Sequence, residues 1–189
     1  MASTGSKGLV YGRSLVSQKT GKMLDFDDII DTAGEPLVRR KSEVIWSGIN
    51  LTIPAGETLN LISLLKDLTP TTGNMEPFFR VSDNKLHCYN ENASLFFKLN
   101  LIGQWASSTN NLSMRVTFVG TVGNTIYQPR TPAITTDVVS FENFFSIDKN
   151  GNIATNGTTM NVVCNGAAFT ASQIMLIAEQ VVPVSATQL

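Results

Sequence analysis

The chain has 189 residues, with 14 Lys and Arg against 15 Asp and Glu for a formal charge of −1, a balance that excludes a global field drawing it to nucleic acid or anionic lipid. Charged residues make up 15% and apolar residues 42%, which excludes a disordered polyelectrolyte and predicts one packed domain with an appendage. No run reaches the roughly 18 apolar residues of a membrane span, and the opening MASTGSKG lacks the apolar core of a secretory signal.

In chain order, residues 1–43 come first, holding seven Lys or Arg and six Asp or Glu, close to half of all the charge. That concentration predicts an extended N-terminal arm over 1–43 and a β domain over 44–189. Within the arm, LDFDDIID at Leu24 to Asp31 predicts about two helical turns, stopped by Gly34 and Pro36. The basic run Arg39, Arg40, Lys41 reads as a solvated or salt-bridged junction rather than a nucleic-acid contact.

From Glu43 the pattern becomes that of strands. EVIWSGINLTI shows two period-2 runs with a bulge or turn at Ser47-Gly48, and ETLNLISLL alternates before becoming apolar on both faces, leaving strand or short helix open. FFRVSDNKLHCY predicts a hairpin bending at Asp83-Asn84. In ASLFFKLNLIGQW, Leu95, Phe97, Leu99 and Leu101 face inward while Phe96, Lys98 and Asn100 face out; LSMRVTFVG does the same with Leu112, Met114, Val116 and Phe118. TTDVVSFENFFSIDKNG is a long strand ended by a turn at Asp148 to Gly151, and TTMNVVCNG and SQIMLIAEQVV supply the last strands. Eight or nine short strands without intervening helices predict an all-β fold, an antiparallel β-sandwich or jelly roll. The stretches Ser107 to Asn111, Gly120 to Arg130 and Asn150 to Thr159 are the expected exposed loops.

The residues of chemistry are sparse. His87 is the only histidine, and in KLHCY it reads as a sheet-face or core residue rather than a general base. Glu142 with Asp148, or Asp27 with Asp28, are carboxylate pairs that no spacing brings across a cleft. Gly120 to Asn124 opens no helix and makes no phosphate cradle, and Asp148 to Asn152 reads as a tight turn rather than a calcium loop. Cys88 and Cys164 read as buried free thiols, with a disulfide the alternative. Four sequons, at Asn50, Asn92, Asn111 and Asn156, read as by-products of an Asn/Thr/Ser-rich surface. The expectation is no enzyme, no cofactor and no metal. The doubly apolar runs around Phe96, Phe144 and Phe145 carry more hydrophobic surface than one sandwich buries, and predict a subunit interface there.

A charged arm, the opening strand VIWSG at Val44 to Gly48, an Asn/Thr-rich β domain and the late strand SQIMLIAEQ at Ser172 to Gln180 together resemble small virion proteins of tailed bacteriophages. The β domain is similar to the C1q or tumour-necrosis-factor-like jelly rolls of capsid decoration proteins and tail-fibre tips. The resemblance implies a non-catalytic homotrimer of the virion, assembled in the host cytoplasm. Its arm would dock on a major capsid protein or on a tail or adaptor protein, with Tyr11, Arg13, Leu24, Phe26, Ile29, Ile30, Arg39 and Arg40 as contact residues. Without a visible fibrous shaft, decoration of the capsid is expected ahead of a short tail fibre or adaptor that contributes to receptor binding.

Overall fold

The computed structural model describes residues 14–16, 23–25, 35–120 and 124–189. The chain divides into two units, Met1–Pro36 and Leu37–Leu189. In the first, β1 (Ser14–Val16) pairs antiparallel with β2 (Met23–Asp25). Leu24 and Asp25 are therefore extended where a helix was predicted, and the rest of that prediction lies outside the described residues.

The second unit opens with β3 (Leu37–Ile53), so the strand pattern starts ahead of the basic run rather than after it. Ser42, Val44 and Trp46 point inward and are buried, while Arg39, Lys41 and Glu43 alternate outward. This period of two is what makes a charged stretch a good strand: one face is apolar enough to bury, the other stays wet. Arg39 and Arg40, assigned to the arm from sequence, belong to this strand.

The remaining elements are β4 (Leu59–Asn60), α1 (Leu61–Leu65), β5 (Thr72–Asn74), β6 (Phe79–Arg80), β7 (Lys85–Leu86), β8 (Ala93–Trp105), β9 (Leu112–Val119), β10 (Thr125–Arg130), β11 (Thr136–Ile147), α2 (Asn152–Asn156), β12 (Thr159–Asn165) and β13 (Phe169–Pro183). A five-stranded antiparallel sheet has the order β11-β8-β13-β3-β5, and a four-stranded sheet the order β10-β9-β12-β4. The β6–β7 hairpin turns at Asp83-Asn84 as predicted, with Asn84 at a φ of 55°. Along β3 and β13 the register jumps from Leu51 opposite Ala171 to Ser47 opposite Gln173. The excess residues fall at Gly48 to Asn50, and Gly48 takes a φ of 70° there, so the bulge expected at Ser47-Gly48 is present.

The buried faces of the two sheets share one core, the arrangement of a β-sandwich. A chain of edge-to-face aromatic contacts ties them together. Phe97 on β8 meets Phe118 on β9 at 5.0 Å between centroids, and Phe118 meets Phe145 on β11 at 4.8 Å. Phe79 of the hairpin joins Phe97 at 6.4 Å.

One open reading is settled and two expected loops are corrected, the first being residues 150–159, which hold α2 with Ala154 and Thr158 buried. ETLNLISLL supplies two strand residues and then α1, whose N-cap Asn60 accepts a hydrogen bond from Ser63 N at 3.0 Å through its side-chain oxygen. Within the stretch Gly120 to Arg130, Thr125–Arg130 is a strand, β10. It lies at a sheet edge, where Pro129 can sit with no N–H to give to a further neighbour.

Candidate interaction surface

The outer face of the five-stranded sheet is built by strict alternation from β11, β8, β13 and β3. The register sets Phe144 opposite Phe96, Glu142 opposite Lys98, Ser140 opposite Asn100 and Val138 opposite Ile102. Across β13 the same rows continue to Glu179, Ile177, Met175 and Gln173, and then to Lys41, Glu43, Ile45 and Ser47. Each of these side chains is out of phase with the core, so an apolar patch is left on the surface of the sandwich. Phe144 is 71% exposed, and Val138 and Val181 are more than half exposed. The Phe96 and Phe144 rings lie 5.2 Å apart, tilted by 54°.

The charges on this face neutralise one another. Lys98 Nζ donates to Glu142 Oε1 at 2.6 Å, Arg39 Nε donates to Glu179 Oε2 at 3.0 Å, and Lys41 pairs with Glu43. These exposed pairs add little to stability, but they leave the patch without a net field that would repel a second copy of itself. The Asn100 carboxamide oxygen on this sheet face is buried with no hydrogen-bond donor among the described residues.

Of the residues expected to form a subunit interface, Phe96 and Phe144 sit together on this face, whereas Phe145 is 3% exposed and faces the core. The correction follows from phase: Phe145 shares the inward parity of Val139, Phe141 and Ile147. The sequence reading missed Ile45, Ile102, Val138, Met175 and Ile177, and the signal was the loss of alternation in SQIMLIAEQVV. Arg39 is held by Glu179, and Arg40 lies over the Tyr89 ring at 5.5 Å while its Nη2 donates to Val184 O at 3.3 Å. The salt-bridged junction is what the structure shows there. Tyr11, Arg13, Phe26, Ile29 and Ile30 lie outside the described residues, and Leu24 is in β2.

The groups weighed for catalysis are separated. His87 is 4% exposed, and its Nε2 lies 2.7 Å from Asp83 Oδ2 within the hairpin region. Glu142 is paired with Lys98 on the outer face. Cys88 and Cys164 are free and buried, and burial pushes both thiols up to about 12. Among the described residues there is no cluster of His, Cys, Asp or Glu able to hold a metal ion.

Comparison with known proteins adds the lineage. Residues 38–180 match the family model described as the Sf6-type phage tail needle knob or tip of some Caudovirales. The tail needle protein of Shigella phage Sf6 is 51% identical over 142 residues, which is 75% of this chain and 50% of that protein, so the chain spans about half the length of this relative. Among solved structures, the PRD1 vertex protein P5 aligns at a TM-score of 0.47 and 12% identity, covering 90% of this chain and 83% of that one. A Bacillus endospore appendage from a family of disulfide-linked pili aligns at 0.31 and 11% identity, covering 77% and 88%. The chain belongs to the family of Sf6-type phage tail needle knobs or tips, and it is a non-catalytic structural protein of the phage virion.

Proposed function

We propose that Leu37–Leu189 is the tip of a tail needle, folded as a jelly roll and assembled as a homotrimer through the outer face of the five-stranded sheet. The jelly-roll reading rests on nested pairing. Of the eight main strands in chain order, β3 pairs with β13, β4 with β12, β8 with β11 and β9 with β10, first with last and inward to the middle.

The observation that carries the trimer is the exposed, charge-neutral apolar face around Phe96 and Phe144. A closed ring of copies buries such a face on every subunit, whereas a monomer leaves it in water. The residues before Leu37 then attach the tip to the tail or an adaptor, with Tyr11, Arg13, Leu24, Phe26, Ile29 and Ile30 as contacts made during assembly in the host cytoplasm. In this reading the exposed loops of the tip contribute to contact with the host receptor. A trimeric capsid decoration protein anchored to the major capsid protein would use the same parts; the tail position is preferred because the family model and the Sf6 relative are both of tail needles.

The test is gold labelling of intact virions with an antibody raised against residues 37–189. Label confined to the end of the tail is the expected outcome, and label spread over the shell would overturn the tail reading.

A further inference from the structure

We propose that the open cavity beside the end of β10 is a binding site for a neutral saccharide. The cavity measures ≈ 480 Å³, within the range of about 300–1,000 Å³ typical of small-ligand sites. It belongs to the edge of the four-stranded sheet and not to the outer face of the five-stranded one. Its apolar lining comes from Leu112, Pro129 and Ile134, and its polar groups come from Asn111, Arg130 and Thr131. Tyr127 also lines it. Its side chain alternates outward on the edge strand and is 56% exposed, so a flat aromatic surface with a polar tip stands open beside the concavity.

Arg130 is the built part of the site. Its Nε donates to Asp137 Oδ2 at 2.8 Å, and the indole N–H of Trp105 donates to the same oxygen at 3.0 Å. Its Nη1 donates to Pro129 O at 2.9 Å. The side chains of Arg130 and Asp137 are only 19% and 10% exposed, so the guanidinium is fixed before any ligand arrives, which removes part of the ordering cost of binding. Nη2 makes no hydrogen bond with the described residues, nor do the side chains of Asn111, Thr131 and Tyr127.

The class of ligand follows from this chemistry. Asp137 compensates the Arg130 charge, so the site offers hydrogen-bond donors without a net positive field and does not select an anion. Donors and hydroxyls, an apolar lining and an exposed aromatic ring fit a molecule with hydroxyls on its edges and a C–H face: a pyranose ring stacking on Tyr127, its hydroxyls turned to Asn111 and Thr131.

Saturation-transfer NMR on the purified full chain tests this with methyl α-glucoside, methyl α-galactoside, methyl α-mannoside, L-rhamnose and N-acetylglucosamine as probes. At least one should receive saturation, with the transfer falling by about tenfold in Tyr127→Ala and severalfold in Asn111→Ala, and largely kept in Tyr127→Phe. Both Tyr127 and Asn111 are exposed, and Asn111→Ala serves if the Tyr127 variant fails to fold. No transfer to any probe, or transfer at full strength in both alanine variants, would overturn the proposal. The inference stands apart from the tail reading, since binding in solution is indifferent to the protein's place on the virion.

Discussion

Replacing Phe144 by alanine should leave the protomer folded and take the proposed trimer apart. The ring is 71% exposed, and its aromatic contact is with Phe96 at 5.2 Å. An aromatic side chain offers roughly 200 Å², so about 140 Å² of Phe144 is open to water in the protomer. At about 25 cal/mol per Å², covering it with a neighbouring copy stabilises the contact by up to about 3.5 kcal/mol. Truncation of interface aromatics of this kind typically costs about 2–4 kcal/mol, a change of roughly 30- to 700-fold for each contact, and a closed trimer has three. Inside the protomer the loss is only the Phe96 pairing, about 0.5–1.5 kcal/mol, which lowers Tm by a few degrees. Sedimentation equilibrium over a concentration series, with thermal unfolding of the same samples, reads both effects. Wild-type and variant trimers with the same concentration dependence would show that the interface lies elsewhere. A large fall in the protomer's own stability would show that the ring's main work is internal.

The neighbouring residue should behave oppositely: Phe145→Ala, which empties a core position 3% exposed against Phe118, should cost about 3–5 kcal/mol in chemical denaturation. Gly103→Ala should destabilise by roughly 1–3 kcal/mol, because a Cβ there would lie 2.1 Å from Thr170 O and 2.8 Å from Ala171 Cα, forcing β8 and β13 apart; an unchanged guanidinium midpoint would refute this packing. The buried thiols of Cys88 and Cys164 set a pH dependence, since burial raises each from 9.0 to about 12. Between those values the unfolded chain releases protons that the folded one keeps, so the thiols' contribution to stability is constant well below pH 9 and declines above it, by up to about 1.4 kcal/mol per pH unit for each thiol. Unfolding midpoints at successive pH values between 8 and 11, with a shallower slope in Cys88→Ala, check the sign.

Much of the strand layout was legible because a half-buried strand repeats every two residues. The inward set Leu95, Phe97, Leu99 and Leu101 and the inward set Leu112, Met114, Val116 and Phe118 could be read straight from the chain, and all eight are buried. The phase of β11 was equally available, since Val139, Phe141 and Ile147 fix the parity that buries Phe145 and exposes Phe144. Taking the two phenylalanines as one feature obscured it. β10 was harder to see, because TIYQPR carries a proline and polar residues that an edge strand accepts and a central strand does not. Its pairing is supplied by β9, not by its own composition.

The sequence by itself determined the class of structure and the absence of an obvious catalytic grouping: alternation specifies which side of each strand is apolar, and turn residues specify where strands end. Only the tertiary structure decided which strands are neighbours, because pairing depends on long-range register that no local pattern encodes. That register collects Ile45 from β3, Phe96 from β8, Phe144 from β11 and Ile177 from β13 onto one face. It also brings Arg130 to Asp137 and Trp105 at the cavity. Each of those residues is unremarkable in its own segment. Their meaning is collective, and a patch or a recess exists only once the sheets have closed over their core.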